Sequence, residues 1–205
     1  MDLNQKQLEI LKIAEKLFAK NGFEGTSVRD IALAANINVA MINYYFESKE
    51  NLLETIVKQG AEAYKLIPDT YIHEEDPLLR LERIIEHYIS SNLANRYVYE
   101  ILANENTIQK RIINSQIYTE LRKHNIQLIK EVIEYGCEKG VFRYYDPILI
   151  HTTMIGTLMN FKRNRIIFEE LLTLPPGCDF EEYLHETLTT HLKFTLKSIL
   201  KNENQ

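Results

Sequence analysis

The segment Thr26–Lys49, TSVRDIALAANINVAMINYYFESK, leaves little freedom for what this chain can fold into. Ser27 is a natural N-cap, and Asp30 three residues on completes a capping box. Val28, Ile31, Ala32 and Ala35 then fall at i, i+3, i+4 and i+7, the stripe of a short amphipathic helix. The pattern stops at Asn36-Ile37-Asn38. Asn visits the left-handed region more readily than other non-glycine residues, so Asn36 suits a turn. Ile37 can plug the core beneath it, and Asn38 can cap a second helix. That helix, roughly Val39 to Phe46, turns Ile42 and either Tyr45 or Phe46 inward. Ala40, Met41, Asn43 and Tyr44 point out. Two helices joined by so short a turn have helix-turn-helix geometry, in which the second helix lies in a major groove. Ala40 allows close approach to bases, while Asn43 and the Tyr44 hydroxyl can bond phosphates or base edges. The same spacing also fits a helical module that never touches DNA.

The flanks extend the pattern. Ile10, Leu11, Ala14, Leu17 and Phe18 predict a helix over residues 4–21, closed by Asn21-Gly22, with Phe23 folding back onto its end. Ser48 caps a further helix whose buried stripe is Leu52, Leu53, Ile56 and Val57. It is expected to run to about Ile67, before Pro68.

Gly22-Phe23-Glu24-Gly25-Thr26-Ser27-Val28-Arg29-Asp30-Ile31-Ala32, Ala35-Asn36-Ile37-Asn38, Tyr44-Tyr45-Phe46 and Ser48-Lys49-Glu50-Asn51-Leu52 together resemble the TetR family of bacterial repressors. The resemblance implies a homodimer that binds operator DNA and lets go when a small molecule occupies its C-terminal domain. It implies that Thr26, Ser27 and Arg29 meet phosphates or groove edges, and that Asn38, Val39, Ala40 and Met41 open the recognition helix towards bases. Asn43 and Tyr44 would hold the backbone, and Lys49 would clamp a phosphate. The chain departs from the family pattern twice. Asn36 replaces the usual turn glycine. Asn43 replaces the first aromatic of the recognition helix, exchanging a phosphate-directed Tyr for an amide that can read adenine.

The rest of the chain reads as helices. Pro77 starts one that carries Leu78, Leu81, Ile84, Ile85, Tyr88 and Ile89 and ends near Asn95. A shorter segment, Tyr97–Asn104, comes after it, and 106–136 holds one or two helices. Gly136 and Gly140 punctuate a loop leading to Pro147. The last two helices are expected over 147–163 and 179–200, separated by a variable insertion from Arg163 to Gly177 that ends in a Pro-Pro-Gly turn. In the family these two helices pair with their copies in a partner, which places Leu149, Gly156, Leu184, Leu188, Leu192 and Leu196 at a dimer interface. Gly156 among large apolar residues suits a close crossing on its own account. Tyr88, Asn92, Tyr97, Met154 and Phe161, polar and aromatic groups among apolar faces, are the candidate effector lining, which suits an apolar or aromatic molecule.

Composition limits the alternatives. Seven Gly and five Pro among 205 residues are few for a turn-rich β architecture. No window is apolar enough for a membrane span, and the N-terminus lacks a secretory core, so the cytoplasm is expected. Cys137 and Cys178 lack metal-knuckle or CxxC spacing and read as reduced thiols. Glu182-x-x-His185 has the spacing of a di-iron ligand pair but no second copy, and Glu120 and His124 lack companions for zinc. No phosphate loop or nucleophile motif appears. The expectation is an all-α regulator without cofactor or metal and not an enzyme. Residues 1–50 form a three-helix reader, and 51–205 form a helical ligand-binding and dimerisation domain. Charge is the objection: the net charge is −5, and residues 1–50 hold six Lys/Arg against seven Asp/Glu. Affinity must then come from the placement of a few cations and helix N-termini.

Overall fold

The computed structural model describes residues 3–95, 97, 98, 100, 101, 116–174 and 177–202. The end of the expected segment Tyr97–Asn104, the start of the expected helices over 106–136, and Pro175-Pro176 of the expected turn lie outside these residues. Among the described residues the regular elements are helices: α1 (Gln5–Asn21), α2 (Val28–Ala34), α3 (Val39–Phe46), α4 (Lys49–Ala63), α5 (Pro77–Ala94), α6 (Gln116–Glu138), α7 (Pro147–Arg163), α8 (Arg165–Leu171) and α9 (Phe180–Leu200). None of them is long and apolar enough to cross a membrane.

Capping chemistry sets the boundaries. Asn4 accepts from the Gln7 N–H at 2.9 Å while the Gln7 side chain accepts from the Asn4 N–H at 3.0 Å, and Gly22 closes α1 at φ 74°. Phe23 packs its ring 5.5 Å from Phe18, back on the helix end. α4 stops four residues short of the expected Ile67. Pro68 holds Ile67 extended, at φ −109° and ψ 113°, and the Leu66 N–H finds the Asn125 side chain at 2.9 Å instead of a helical carbonyl.

Gly136, expected in a loop, is inside α6. A Cβ there would lie 1.9 Å from the Phe142 ring, so the bare backbone is the seat on which Phe142 packs. The turn falls at Gly140, at φ 73°. Within the expected insertion, α8 is anchored by Arg165, which pairs with Glu169 and Glu181, each at 2.7 Å.

Contacts divide the chain into two compact units: Met1–Tyr64 with Asn95–Leu121, and Lys65–Ala94 with Arg122–Gln205. This division keeps the whole of α4 with α1–α3, because Leu52, Leu53, Ile56 and Val57 share a core with Ile10, Phe18, Ile31 and Ile42.

In the second unit α9 packs along α5, and it corrects one expectation. Leu184, Leu188, Leu192 and Leu196, expected at a dimer interface, are no more than 1% exposed within this single chain. Residues at i, i+4 form a ridge that seats in a neighbouring groove, and here the neighbours belong to the chain's own core. Lys193 reaches Glu82 at 3.0 Å and Glu86 at 2.6 Å, and Lys197 also meets Glu82, closing the rim of that packing. Of the six interface candidates, only Leu149 and Gly156 face solvent.

Candidate nucleic-acid interface

The reader is built on three side-chain caps. Ser27 Oγ accepts from the Asp30 N–H at 3.2 Å and donates to Asp30 Oδ2 at 2.6 Å, while the Ser27 N–H donates to the same oxygen at 2.8 Å. The Ser27 hydroxyl, and then its backbone N–H, holds the Asp30 carboxyl below the usual carboxylate range. The Ser48 side chain caps α4 through the Asn51 N–H at 3.0 Å. Asn38 Oδ1 accepts from the Ala40 N–H at 2.9 Å, which leaves its Nδ2 donors for other partners.

Between α2 and α3 the chain makes a complete Schellman turn. The Ile37 N–H donates to Ala32 O at 3.0 Å, the Asn36 N–H donates to Leu33 O at 3.1 Å, and Asn36 takes φ 51°. That left-handed residue lets α3 start against α2, and Ile37 packs on the common core as the sequence indicates.

Ile42 and Phe46 are buried, and the opposite face of α3 carries Ala40, Asn43 and Tyr44, all exposed, with Val39 and Met41 half-buried. Tyr44 is 79% exposed and is held edge-on against Tyr45 at 5.2 Å. Ser27 and Arg29 are exposed on α2, and Arg29 makes no ion pair among the described residues. Leu33, one turn on from Arg29 and 83% exposed, shares that face. The sequence reading omitted it, although a large apolar residue off the buried stripe was the available signal.

Two residues are placed otherwise than expected. Thr26 is fully buried, and its hydroxyl lies 2.9 Å from Gly22 O and 3.2 Å from Leu17 O. It fastens the end of α1 and does not present its side chain to DNA. Lys49 is half-buried, and its Nζ donates to Phe23 O at 2.9 Å and to Thr26 O at 3.1 Å.

The candidate effector residues divide between the units. Tyr88 and Met154 lie in the core of the second unit, and Asn92, also buried there, donates through Nδ2 to Tyr88 O at 2.9 Å. Phe161 stacks on Phe168 at 4.3 Å, while Tyr97 packs on the core of the first unit. The sequence reading missed His151, which lies on the apolar face of α7 among Ile150, Met154 and Leu158. It is 5% exposed, its ring stands edge-on to Tyr88 at 6.3 Å, and no hydrogen bond reaches it among the described residues. A lone His at that helical spacing was the signal. Burial, and next the Arg122 charge, pushes it down to about 4.

Because this pKa lies below the ordinary value of 6.5, the unfolded chain takes up a proton in the interval that the folded chain refuses. Stability is fully present above pH 6.5 and falls as the pH drops towards 4. Urea unfolding at pH 7 and pH 5 is expected to differ by roughly 2 kcal/mol from this group. His151→Phe should remove that part of the slope, and an unaltered slope in the variant would show that His151 is not its source.

The thiols of Cys137 and Cys178 are unpaired. His185 Nε2 lies 2.9 Å from Ser90 Oγ, and the described residues contain no group of three or more His, Cys, Asp or Glu fit to hold a metal.

Residues 10–56 match the family model described as bacterial regulatory proteins, tetR family. Residues 77–177 match that of the tetracyclin repressor-like C-terminal domain. The chain is 33% identical over 160 residues to the HTH-type transcriptional repressor NicS of Pseudomonas putida, covering 74% of this chain and 73% of that protein. It is 28% identical over 200 residues to the probable HTH-type transcriptional regulator YttP of Bacillus subtilis, covering 94% and 93%. The fold is shared with the ketosteroid transcriptional regulator KstR2 of Mycobacterium tuberculosis, at a TM-score of 0.70 and 20% identity over 98% of both chains.

Proposed function

Because this chain belongs to the TetR family of bacterial transcriptional regulators, we propose that it represses transcription in the cytoplasm as a homodimer whose two α3 helices enter successive major grooves of an operator. A small molecule held within residues 51–205 releases it. One observation supports this most directly: Arg29, Asn38, Ala40, Asn43 and Tyr44 face solvent on the α2–α3 surface, which the helix caps and the Schellman turn hold in place. Tyr44 and Arg29 serve the phosphates. Asn43 and the small Ala40 face the bases, where an amide bonds the N6/N7 edge of adenine.

The dimer forms through the outward face of α7, where Leu149, Thr152, Gly156 and Asn160 are exposed, with the exposed Phe194 of α9 beside it in the pairing. The effector, mainly apolar or aromatic, is recognised around Tyr88, Asn92, Met154 and His151. It binds better to the conformation in which the two readers are mis-spaced, since half-sites require them about 34–36 Å apart.

Fluorescence anisotropy with a duplex from the chain's own upstream region tests the reading. Affinity is expected to fall steeply between about 50 and 200 mM salt, and salt-independent binding would exclude DNA recognition. Tyr44→Ala should weaken binding about tenfold, on the order of 0.5–1.5 kcal/mol for each hydroxyl of a dimer, without lowering the melting temperature. Undiminished affinity would remove Tyr44 from the interface.

A further inference from the structure

We propose that Lys49 is a positioning residue that ties the start of α4 to the α1–α2 turn, and that it does not grip a phosphate; this rests on the reading of the domain as a DNA reader. An ammonium has three N–H donors. In the structure Nζ donates to the carbonyls of Phe23 and Thr26, at 2.9 and 3.1 Å, and stands 4.1 Å from the centroid of the Phe23 ring. The two carbonyls and the ring face engage the charge from the protein side. Carrying Nζ out to a phosphate would strip both carbonyls of this donor and take the cation off the ring. A cation over an aromatic face at this range is itself favourably placed.

The turn it holds leads directly into the reader. Gly22 to Thr26 joins α1 to Ser27, the cap of α2. Its α1 side is fastened by the Thr26 hydroxyl on Leu17 O and Gly22 O, and by the Thr26 N–H on Phe23 O at 3.3 Å. Its α4 side is fastened by Lys49, the first residue of that helix, through Nζ. Phe23 is 4% exposed and Thr26 fully buried, so both anchor points belong to buried residues. The first turn of α4 and the first turn of α2 are thereby indexed to each other within three helices. Any displacement of α4 carries α2, and with it Arg29, as one body. Lys49 therefore sets how faithfully movement of α4 becomes movement of the reader.

The two roles differ in salt dependence. A lysine on a phosphate contributes about 0.9 to the slope of log affinity against log salt concentration. A tie to the chain's own carbonyls contributes nothing to that slope. The experiment compares wild type, Lys49→Met and Arg29→Met for binding to the upstream duplex across a salt series, with thermal melting of the free proteins. Lys49→Met is expected to lower the melting midpoint by several degrees and to weaken binding at least tenfold at every salt concentration, leaving the slope as in wild type. Arg29→Met should reduce the slope and leave melting alone. A Lys49→Met protein that melts like wild type and loses about one phosphate's worth of slope per subunit would overturn the tie. Should Lys49→Met fail to fold, Lys49→Gln, which keeps two N–H donors on a shorter arm and loses the charge, is expected to show a smaller fall in midpoint with the slope intact. Should wild type bind no DNA at all, the DNA-binding reading fails, and the melting arm still decides the tie.

Discussion

Placing arginine at Gly156 is expected to yield a folded chain that runs as a monomer and loses operator binding. Gly156 is exposed on α7, and a Cβ added there meets nothing within 4 Å of its own chain, so the substitution costs the subunit little. Leu149, 51% exposed, and Thr152 lie on the same face at helical spacing. If two copies cross there, a residue without a side chain sets how closely the helices approach. Arginine would hold them apart and bring its charge towards a symmetry-related copy. An unpaired charge in such a place costs about 3–5 kcal/mol, a factor of more than a hundred in the dimerisation constant. Light scattering at micromolar concentration should give one chain mass in place of two, with an unchanged circular dichroism spectrum. A variant that remains dimeric would move the interface away from this face.

Leu188→Ala is expected to do the reverse, lowering stability and leaving the dimer intact. Leu188 is 1% exposed in the core of the second unit, and emptying such a site costs about 2–5 kcal/mol. For a chain of this size, that corresponds to a fall of about 5–15 °C in melting temperature. Below the new midpoint the scattering mass should still be that of two chains. A monomer with wild-type melting would mean that the leucine row faces a partner after all. The pair of substitutions thus separates the inner face of α9 from the outer face of α7.

That separation marks where sequence reasoning stopped. Period and spacing identify Leu184, Leu188, Leu192 and Leu196 as one apolar ridge. They do not say whether the groove that receives the ridge belongs to the same chain or another, because both bury the same surface. The caps at Ser27, Asn38 and Ser48 and the left-handed Asn36 were legible because they are local: each is settled by bonds that span at most five residues. Thr26 and Lys49 were not. Their partners are backbone carbonyls, Gly22 O and Leu17 O four and nine residues from Thr26 and Phe23 O 26 from Lys49, and a carbonyl carries no signature in the sequence. Family resemblance assigned both to DNA for the same reason, since it transfers positions and not the local competition for their donors. Gly136 was misplaced because a glycine reads as punctuation until the ring that sits on it, Phe142, is seen.

The brevity of the reader has a consequence of its own. α2 has seven residues and α3 has eight, and isolated helices shorter than about 12–15 residues are marginal in water. Neither can persist as a helix once Ile31 and Ile42 leave the shared core. The recognition surface therefore has no partly melted state that still reads DNA: fraying and loss of sequence discrimination are one cooperative event. Heat that opens this shared core therefore silences the regulator in the same step.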